Sequence, residues 1–397
     1  MPSITIVSNG HGEDVIGAAL AQALQGLAPA VTIRAFPLVD EGGAYRAHAI
    51  DTLGPCRALP SGGLTMHSAT SFVADVRAGF VGMTLSQLAG LTRLHSDVVV
   101  VVGDLYAQAL AAFTRASFRA VVQPLVSAYH RAGGGRPRPN RYFMERISYP
   151  ERALMRHLAS VVYARDDATA AWLGAHGVRH ALSLGNPMVD LAAGRPLEGA
   201  RGRRTVALLP GTRAHTPDAL ARMAEALKRL PAATGLVAWQ AGAVPGLPGW
   251  ERDEGAPPLR GRVAALRHGA SRLWVVEGRF GDVLASARVA IGTAGTANEQ
   301  AAARGVPVVS FPVEPSHGRT FLENQKRLLG DALTLCGGEP AEIAAAVRAL
   351  LGDEAAWEQA SRAGRRRMGA PGGSRAIARD LLERAARTVP AFGEGTL

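Results

Sequence analysis

With 397 residues and 47% apolar side chains, the chain is too long for one ordinary hydrophobic core and apolar enough to fill two. Its formal charge of +11 points to an anionic partner, whether nucleic acid, an anionic membrane surface or a phosphorylated substrate, although only Lys228 and Lys326 among the 44 basic residues are lysine. Cys56 and Cys336 match no metal or redox spacing and read as buried thiols of a reducing compartment, and no run approaches the roughly 18 apolar residues of a membrane span. The expectation is a cytoplasmic protein, at most peripheral to a membrane.

Strand-like runs at Ile4 to Ser8, Val31 to Phe36, Val98 to Val102, Ala120 to Gln123, Ser160 to Ala164 and Ala181 to Leu184 alternate with helical ones. Continuous apolar strands such as Val98 to Val102 fit a parallel sheet covered on both faces. The first strand leads into Asn9-Gly10-His11-Gly12-Glu13-Asp14, with a helix following through Val15 to Leu24. Val15 breaks the dinucleotide fingerprint G-x-G-x-x-G. Glu13 and Asp14 suit the hydroxyls of an acceptor sugar beside Gly12, or they serve as first-turn carboxylates that stabilise the helix dipole.

Asp104 follows Val98 to Val102 and Gly103 at a strand's carboxyl end, where a carboxylate can take a proton from an attacking hydroxyl or cap the next helix. From Arg115 to Arg156 nine arginines face only Glu145 and Glu151, with Tyr129, Tyr142, Phe143, Met144, Ile147 and Tyr149 interspersed. Such a segment can lie on an anionic bilayer surface, or be a solvated face with a Gly/Pro/Arg loop.

Ala192 to Arg204, rich in Gly, Pro and Arg, is the expected linker, giving Rossmann-like domains over 1–195 and 196–397. The second series of strands comprises Thr205 to Leu209, Thr234 to Trp239, Leu273 to Val276, Val289 to Ile291 and Val306 to Phe311. Gly242 to Gly261 reads as a surface excursion. Gly211, Thr212 and Arg213 form the first βα turn, where backbone amides and a guanidinium can meet phosphate oxygens. Gly278 and Phe280 can hold a base by backbone contact and ring packing, unless Phe280 is simply core. The run Gly292-Thr293-Ala294-Gly295-Thr296 and the helix after it form a phosphate cradle, with Asn298 and Glu299 one turn in. Glu299 can grip ribose hydroxyls, or Thr296 to Glu299 is only a capping box. Asn324 and Gln325 can reach a donor sugar or be exposed helix residues. Helices over Pro340 to Leu351, Glu354 to Arg366 and Gly373 to Arg387 finish the chain, with room to pack back on the first domain.

In this order, Gly12-Glu13-Asp14 with Gly17-Ala18, Gly103-Asp104, Gly185-Asn186-Pro187-Met188-Val189-Asp190, Leu208-Leu209-Pro210-Gly211-Thr212-Arg213 and Gly295-Thr296-Ala297-Asn298-Glu299 resemble the motifs of GT-B glycosyltransferases, most closely lipid A disaccharide synthase and its relatives. The resemblance implies an α/β GT-B fold, two Rossmann-like doubly wound domains facing a central cleft. It implies inverting transfer from a UDP-sugar, of GlcNAc type, to a hydroxyl of a lipid-linked acceptor at the inner membrane face. Asp104 would be the base; Arg213 and the helix after Gly295 would hold the diphosphate, with no metal or cofactor, and Glu299 would orient the ribose. The family's aromatic-rich Ser-Pro-Ser-x-Trp-Ala-Trp stretch is replaced by Pro124-Leu125-Val126-Ser127-Ala128-Tyr129-His130, so a glycolipid acceptor is implied without lipid A itself.

A UDP-GlcNAc 2-epimerase, built on the same two-domain plan, is the alternative enzyme. A non-catalytic sugar-nucleotide or nucleic-acid-binding protein is the alternative of another class. Nucleic acid is disfavoured because the arginines form no recognisable RNA-binding motif. A homodimer is compatible with the sequence.

Overall fold

The valines at 98–102 are buried on both sides, the environment that a central parallel strand provides. A computed structural model describes residues 1–39, 41–57, 73, 75–131, 147–200, 202, 204–211, 216–240, 242–313 and 318–393. The chain divides into two units, Met1–Asp190 with Pro371–Leu397, and Leu191–Ala370.

The first unit carries a parallel sheet of β1 (Ser3–Ser8), β2 (Thr32–Pro37), β3 (Asp51–Thr52), β4 (His95–Val102), β5 (Arg115–Gln123), β6 (Val161–Ala164) and β7 (Ala181–Leu182), in the order β3-β2-β1-β4-β5-β6-β7. Side chains alternate across a strand, so the valine run divides between two cores. Val98, Val100 and Val102 join Ile4, Ile6, Leu20 and Leu24, whereas Val99 and Val101 join Val7, Leu110, Val121 and Met155. The first core is completed by the helix Gly373–Thr388, which contributes Ile377, Ala378, Leu381 and Leu382, and by Phe392. Each of the Ile, Leu and Phe side chains adds about 1.5–3 kcal/mol of burial, enough to commit this helix to the first unit.

Both chain crossings are pinned at one carboxylate. Asp190, where the chain leaves the first unit, accepts from Gly372 N–H at 2.5 Å and Ser374 N–H at 2.8 Å, where it returns. A Cβ at Gly373 would stand 2.8 Å from the Asn186 and Gly185 backbone, so the returning helix seats against the Gly185–Asp190 signature only through a glycine. That motif therefore works here as a clasp for a helix start.

The second unit holds β8 (Thr205–Leu209), β9 (Thr234–Trp239), β10 (Glu251–Arg252), β11 (Arg262–His268), β12 (Ser271–Glu277), β13 (Val289–Gly292), β14 (Val308–Ser310) and β15 (Leu333–Leu335), ordered β10-β11-β12-β9-β8-β13-β14-β15. It is parallel from β12 to β15, and β10 and β11 add an antiparallel edge. The Gly242–Gly261 excursion thus contributes a sheet strand. The expected linker is no free tether over its described part: Ala192, Leu197 and Ala200 are buried, and Arg195 N–H and Leu197 N–H donate to Asp282 Oδ1 and Ser286 Oγ, both at 2.8 Å.

Candidate active site

In the first sheet the chain order reverses at β1, with β2 on one side and β4 on the other. Loops diverge from such a switch point, leaving a crevice beyond the strands' carboxyl ends. Three segments meet there. Asn9 and Gly10 follow β1, and a helix α1 (His11–Leu27) starts at once, so Glu13 and Asp14 lie in its first turn and not in a longer loop. Gly10 adopts φ 104°, which permits that abrupt start. Gly103 and Asp104 follow β4. Helix α2 (Leu105–Ala111) begins with Asp104 as its cap: Oδ1 accepts from Tyr106 N–H at 3.0 Å and Ala107 N–H at 3.5 Å. Asn9 Nδ2 donates to the same oxygen at 3.2 Å. No hydrogen bond from another described residue reaches Oδ2, so Asp104 caps its helix with one oxygen.

Two further carboxyls lie close enough to interact with that charge. Glu13 is half-buried, and its desolvation, helped by Asp104 and Asp14, raises its pKa to about 8. Glu151 is only 3% exposed and opens α3 (Tyr149–Leu158) in a capping box with Ser148. Its Oε1 accepts from Gln123 Nε2 at 2.6 Å, at the end of β5, and from Gln108 Nε2 at 3.2 Å, on α2. Desolvation and the Asp104 charge lift its pKa to about 7. Burial also raises Asp104 itself, against the hydrogen bonds it receives. A site with these carboxyls can hold and exchange protons near neutral pH.

Asp14 belongs to a different network. It is 1% exposed, and its Oδ1 accepts from Ser8 Oγ at 2.6 Å, while Ser8 Oγ meets Tyr45 Oη at 2.7 Å. A Cβ on Gly17 would stand 2.0 Å from Tyr45 Oη, which is why the motif needs glycine there.

The second sheet reverses at β8, between β9 and β13. Beyond β8 lies Gly211 at φ 86°, and beyond β13 Thr293 Oγ1 donates across to Pro210 O at 3.2 Å, tying the two turns together. Helix α4 (Gly295–Ala303) starts from Ala294, with no side-chain cap and no acid in its first turn. Thr296 is therefore inside the helix, and the capping-box reading of Thr296 to Glu299 does not hold. The N-terminal amides of α4 keep their affinity for an anion. Asn298 is fully buried and donates to Gln325 Oε1 at 3.0 Å and Gly292 O at 3.4 Å. Gln325, on α5 (Arg319–Leu329), donates to Gly295 O at 2.8 Å. These two amides brace the cradle from below, and Gly292 makes room: a Cβ there would lie 2.0 Å from Asn298 Oδ1.

No protein-family model matches the sequence, and no curated protein matches it either. Solved structures do. CalG4, the calicheamicin glycosyltransferase, matches with TM-score 0.59 and 15% identity over 98% of this chain and 99% of that one. MurG of Acinetobacter baumannii matches at 0.55 and 15%, over 97% and 100%. The UDP-GlcNAc 2-epimerase of Neisseria meningitidis, bound to UDP-GlcNAc, matches at 0.53 and 11%, over 97% and 99%. The fold is GT-B. Transferases and epimerases alike are built on it, so the likeness is one of architecture.

Within the first GT-B unit, Asp104 and Glu13 come together, Gly12 is exposed at the start of α1, and Asp14 turns inward. Within the second, Gly211, Gly295, Thr296 and Glu299 share the β8/β13 end, with Thr296 exposed and Glu299 half-buried. Gly278, at φ 65°, and the half-buried Phe280 follow β12, two strands from β8. Asn324 is half-buried on α5 beside Gln325. Thr212 and Arg213 lie outside the described residues.

The basic segment is spread along the unit. Arg115 opens β5 and Arg119 stands at its middle, whereas Gln123, bonded to Glu151, ends it; Tyr149 is exposed with the Arg152 guanidinium over its ring. Residues 132–146 lie outside the described part. Sequence reasoning missed Asn9, Gln108, Gln123 and Glu151. The Ser148-Tyr149-Pro150-Glu151 capping signature marks the last of these, yet Glu151 had counted only as one of two acids among arginines. Among the described residues, no cluster of His, Cys, Asp or Glu is arranged to hold a metal, and no helix is long and apolar enough to cross a membrane.

Proposed function

We propose that this chain is an inverting glycosyltransferase that moves a sugar of GlcNAc type from a UDP-sugar to a hydroxyl of a lipid-linked or glycolipid acceptor. The observation that carries the reading is the state of Asp104: one oxygen is committed to three donors, while the other takes no bond from a neighbouring described residue at the switch point. A general base needs an oriented carboxylate with one oxygen left open. The second unit supplies a place for the diphosphate at the uncapped start of α4, so leaving-group charge meets fixed amide dipoles and no metal is required. Glu299 orients the ribose, and Arg213, which lies outside the described residues, is assigned to the phosphates. The acceptor's lipid portion keeps the protein at the cytoplasmic face of a membrane, with Tyr149 and Arg152 among the residues that meet anionic lipid.

A second reading, a UDP-GlcNAc 2-epimerase, is favoured by one observation: Glu13 and Glu151 hold protons near neutral pH beside Asp104, as acid–base chemistry at a sugar carbon demands. The deciding experiment measures UDP, UDP-GlcNAc, UDP-glucose and GDP-mannose binding by calorimetry, then follows the bound UDP-sugar without acceptor. UDP-selective binding with an intact sugar supports the transferase. A C2-epimerised sugar, whether still attached to UDP or released with it, supports the epimerase, and absence of nucleotide binding sinks both.

A further inference from the structure

Among the described residues, Asn9 is the one side chain that donates to Asp104, and its own geometry is costly. It is 6% exposed, and its Oδ1 accepts no hydrogen bond among the described residues. A buried amide oxygen without a donor is a penalty that an apolar residue of similar size would avoid. Nor is the amide free to turn over: exchanging its ends would set Oδ1 against the Asp104 carboxylate, lone pair to lone pair. The loops are built to keep the two side chains adjacent. Gly103 adopts φ 141°, and a Cβ there would lie 3.6 Å from Asn9 Cβ and 3.4 Å from Ala107 Cβ, so the β1 and β4 loops meet across a glycine.

We infer that Asn9 is a positioning residue for the base: its Nδ2–H fixes Oδ1 of Asp104, selects Oδ2 as the proton acceptor and holds the carboxylate ionised within an acidic neighbourhood. This rests on the reading of Asp104 as the base. The groups that interact with the Asp104 charge from the surrounding elements are Glu13 on α1, Tyr106 on α2 and Glu151 on α3, with Asp14 and Tyr45 behind Glu13. All are acidic or phenolic, and burial keeps Glu13 and Glu151 protonated up to about pH 8 and 7, so none of them offers the Asp104 carboxylate a compensating positive charge. Against burial, the Asn9 amide works in the same direction as the Tyr106 and Ala107 amides. Unlike those backbone groups, it can be removed by substitution.

The full chain, labelled with 13C at the Asp carboxyl carbon, allows Asp104 to be titrated directly, its signal assigned by loss in Asp104→Asn. Asn9→Ala and the nearly isosteric Asn9→Leu should both move the Asp104 titration, and the acidic limb of kcat/KM with it, to higher pH by about one pH unit, the scale of one charge-assisted hydrogen bond. Asn9→Asp should move it further, and UDP affinity should not change. An Asp104 titration unmoved in both Ala and Leu variants overturns the inference, even where turnover falls. Full turnover in Asp104→Asn would instead overturn the base reading, while the carbon titration still decides what Asn9 does.

Discussion

Glu151→Gln tests whether the carboxyls beside Asp104 are held neutral by burial. In the folded chain Glu151 titrates at about 7, against an ordinary value of 4.5. Below pH 4.5 both folded and unfolded chains carry the proton. Between 4.5 and 7 only the folded one does, so stability falls as pH rises, by up to 1.36 kcal/mol per pH unit, and levels off above 7. Integrated over that window, the wild type loses about 3 kcal/mol through this residue. Glutamine cannot ionise and escapes that loss, but its amide cannot accept from both the glutamines and Ser148 N–H, which costs about 1 kcal/mol. The variant should therefore be about 1 kcal/mol less stable than wild type near pH 4.5 and about 2 kcal/mol more stable above pH 7. At roughly 2–4 °C per kcal/mol for a unit of this size, calorimetric melting curves would resolve the crossing. Glu13, at about 8, adds a wild-type slope of the same sign but cancels from the difference between the two proteins to the extent that it titrates alike in both. A variant less stable than wild type at pH 8, or a stability difference that stays flat from pH 4.5 to 7, would refute the reasoning.

Asp104→Asn keeps the helix cap, since its Oδ1 can still accept, and should lower turnover by about 10²–10⁴ with UDP affinity intact, read by steady-state kinetics beside calorimetry. Gly292→Ala drives a methyl group into Asn298 Oδ1 and should cost about 1–3 kcal/mol in chemical denaturation and weaken UDP binding; an unchanged denaturation midpoint would show that the bracing amides yield freely. Asp190→Ala removes both acceptors at the start of the helix Gly373–Thr388 and should cost about 1–3 kcal/mol, with faster amide exchange in the first turn of that helix.

The strands that place both candidate sites were legible because each is a buried apolar run bounded by small or polar residues, as at Val98 to Val102 and Thr205 to Leu209. Of the strands that went unseen, Leu333–Leu335 is only three residues long, and the others depend on sheet partners for what their composition lacks. Asp51–Thr52 and Glu251–Arg252 are two residues long and polar, and Arg262–His268 carries charge at both ends because it lies next to the edge. The place of Asp104 at the carboxyl end of β4, as a helix cap, was readable from its strand-end position. Glu151 was not, because its role comes from Gln123, 28 residues earlier, and Gln108, 43 residues earlier, and such pairings are set by the order β4-β5-β6, which local pattern does not encode. Asn298 and Gln325 were read as ligand contacts for the converse reason: sequence marks them as polar residues near a cradle but does not reveal which way a buried amide faces.

The two units repeat one plan with opposite electrostatics at the equivalent turn. In each, the first strand of the unit ends at the switch point. At the first unit's switch the first turn of α1 carries Glu13, protonated up to about pH 8, and Asp14, which accepts from Ser8 Oγ, so that helix start is lined by carboxyls. Uncharged hydroxyls, which can donate to carboxylates, are the groups that such a surface accepts. At the second unit's switch α4 has neither a side-chain cap nor a first-turn acid, and its lower face is braced by Asn298 and Gln325, so the amides stay in place and unanswered. An anion fits there without reorganisation. On the proposed transferase reading, the hydroxyl nucleophile belongs to the first unit and the diphosphate leaving group to the second.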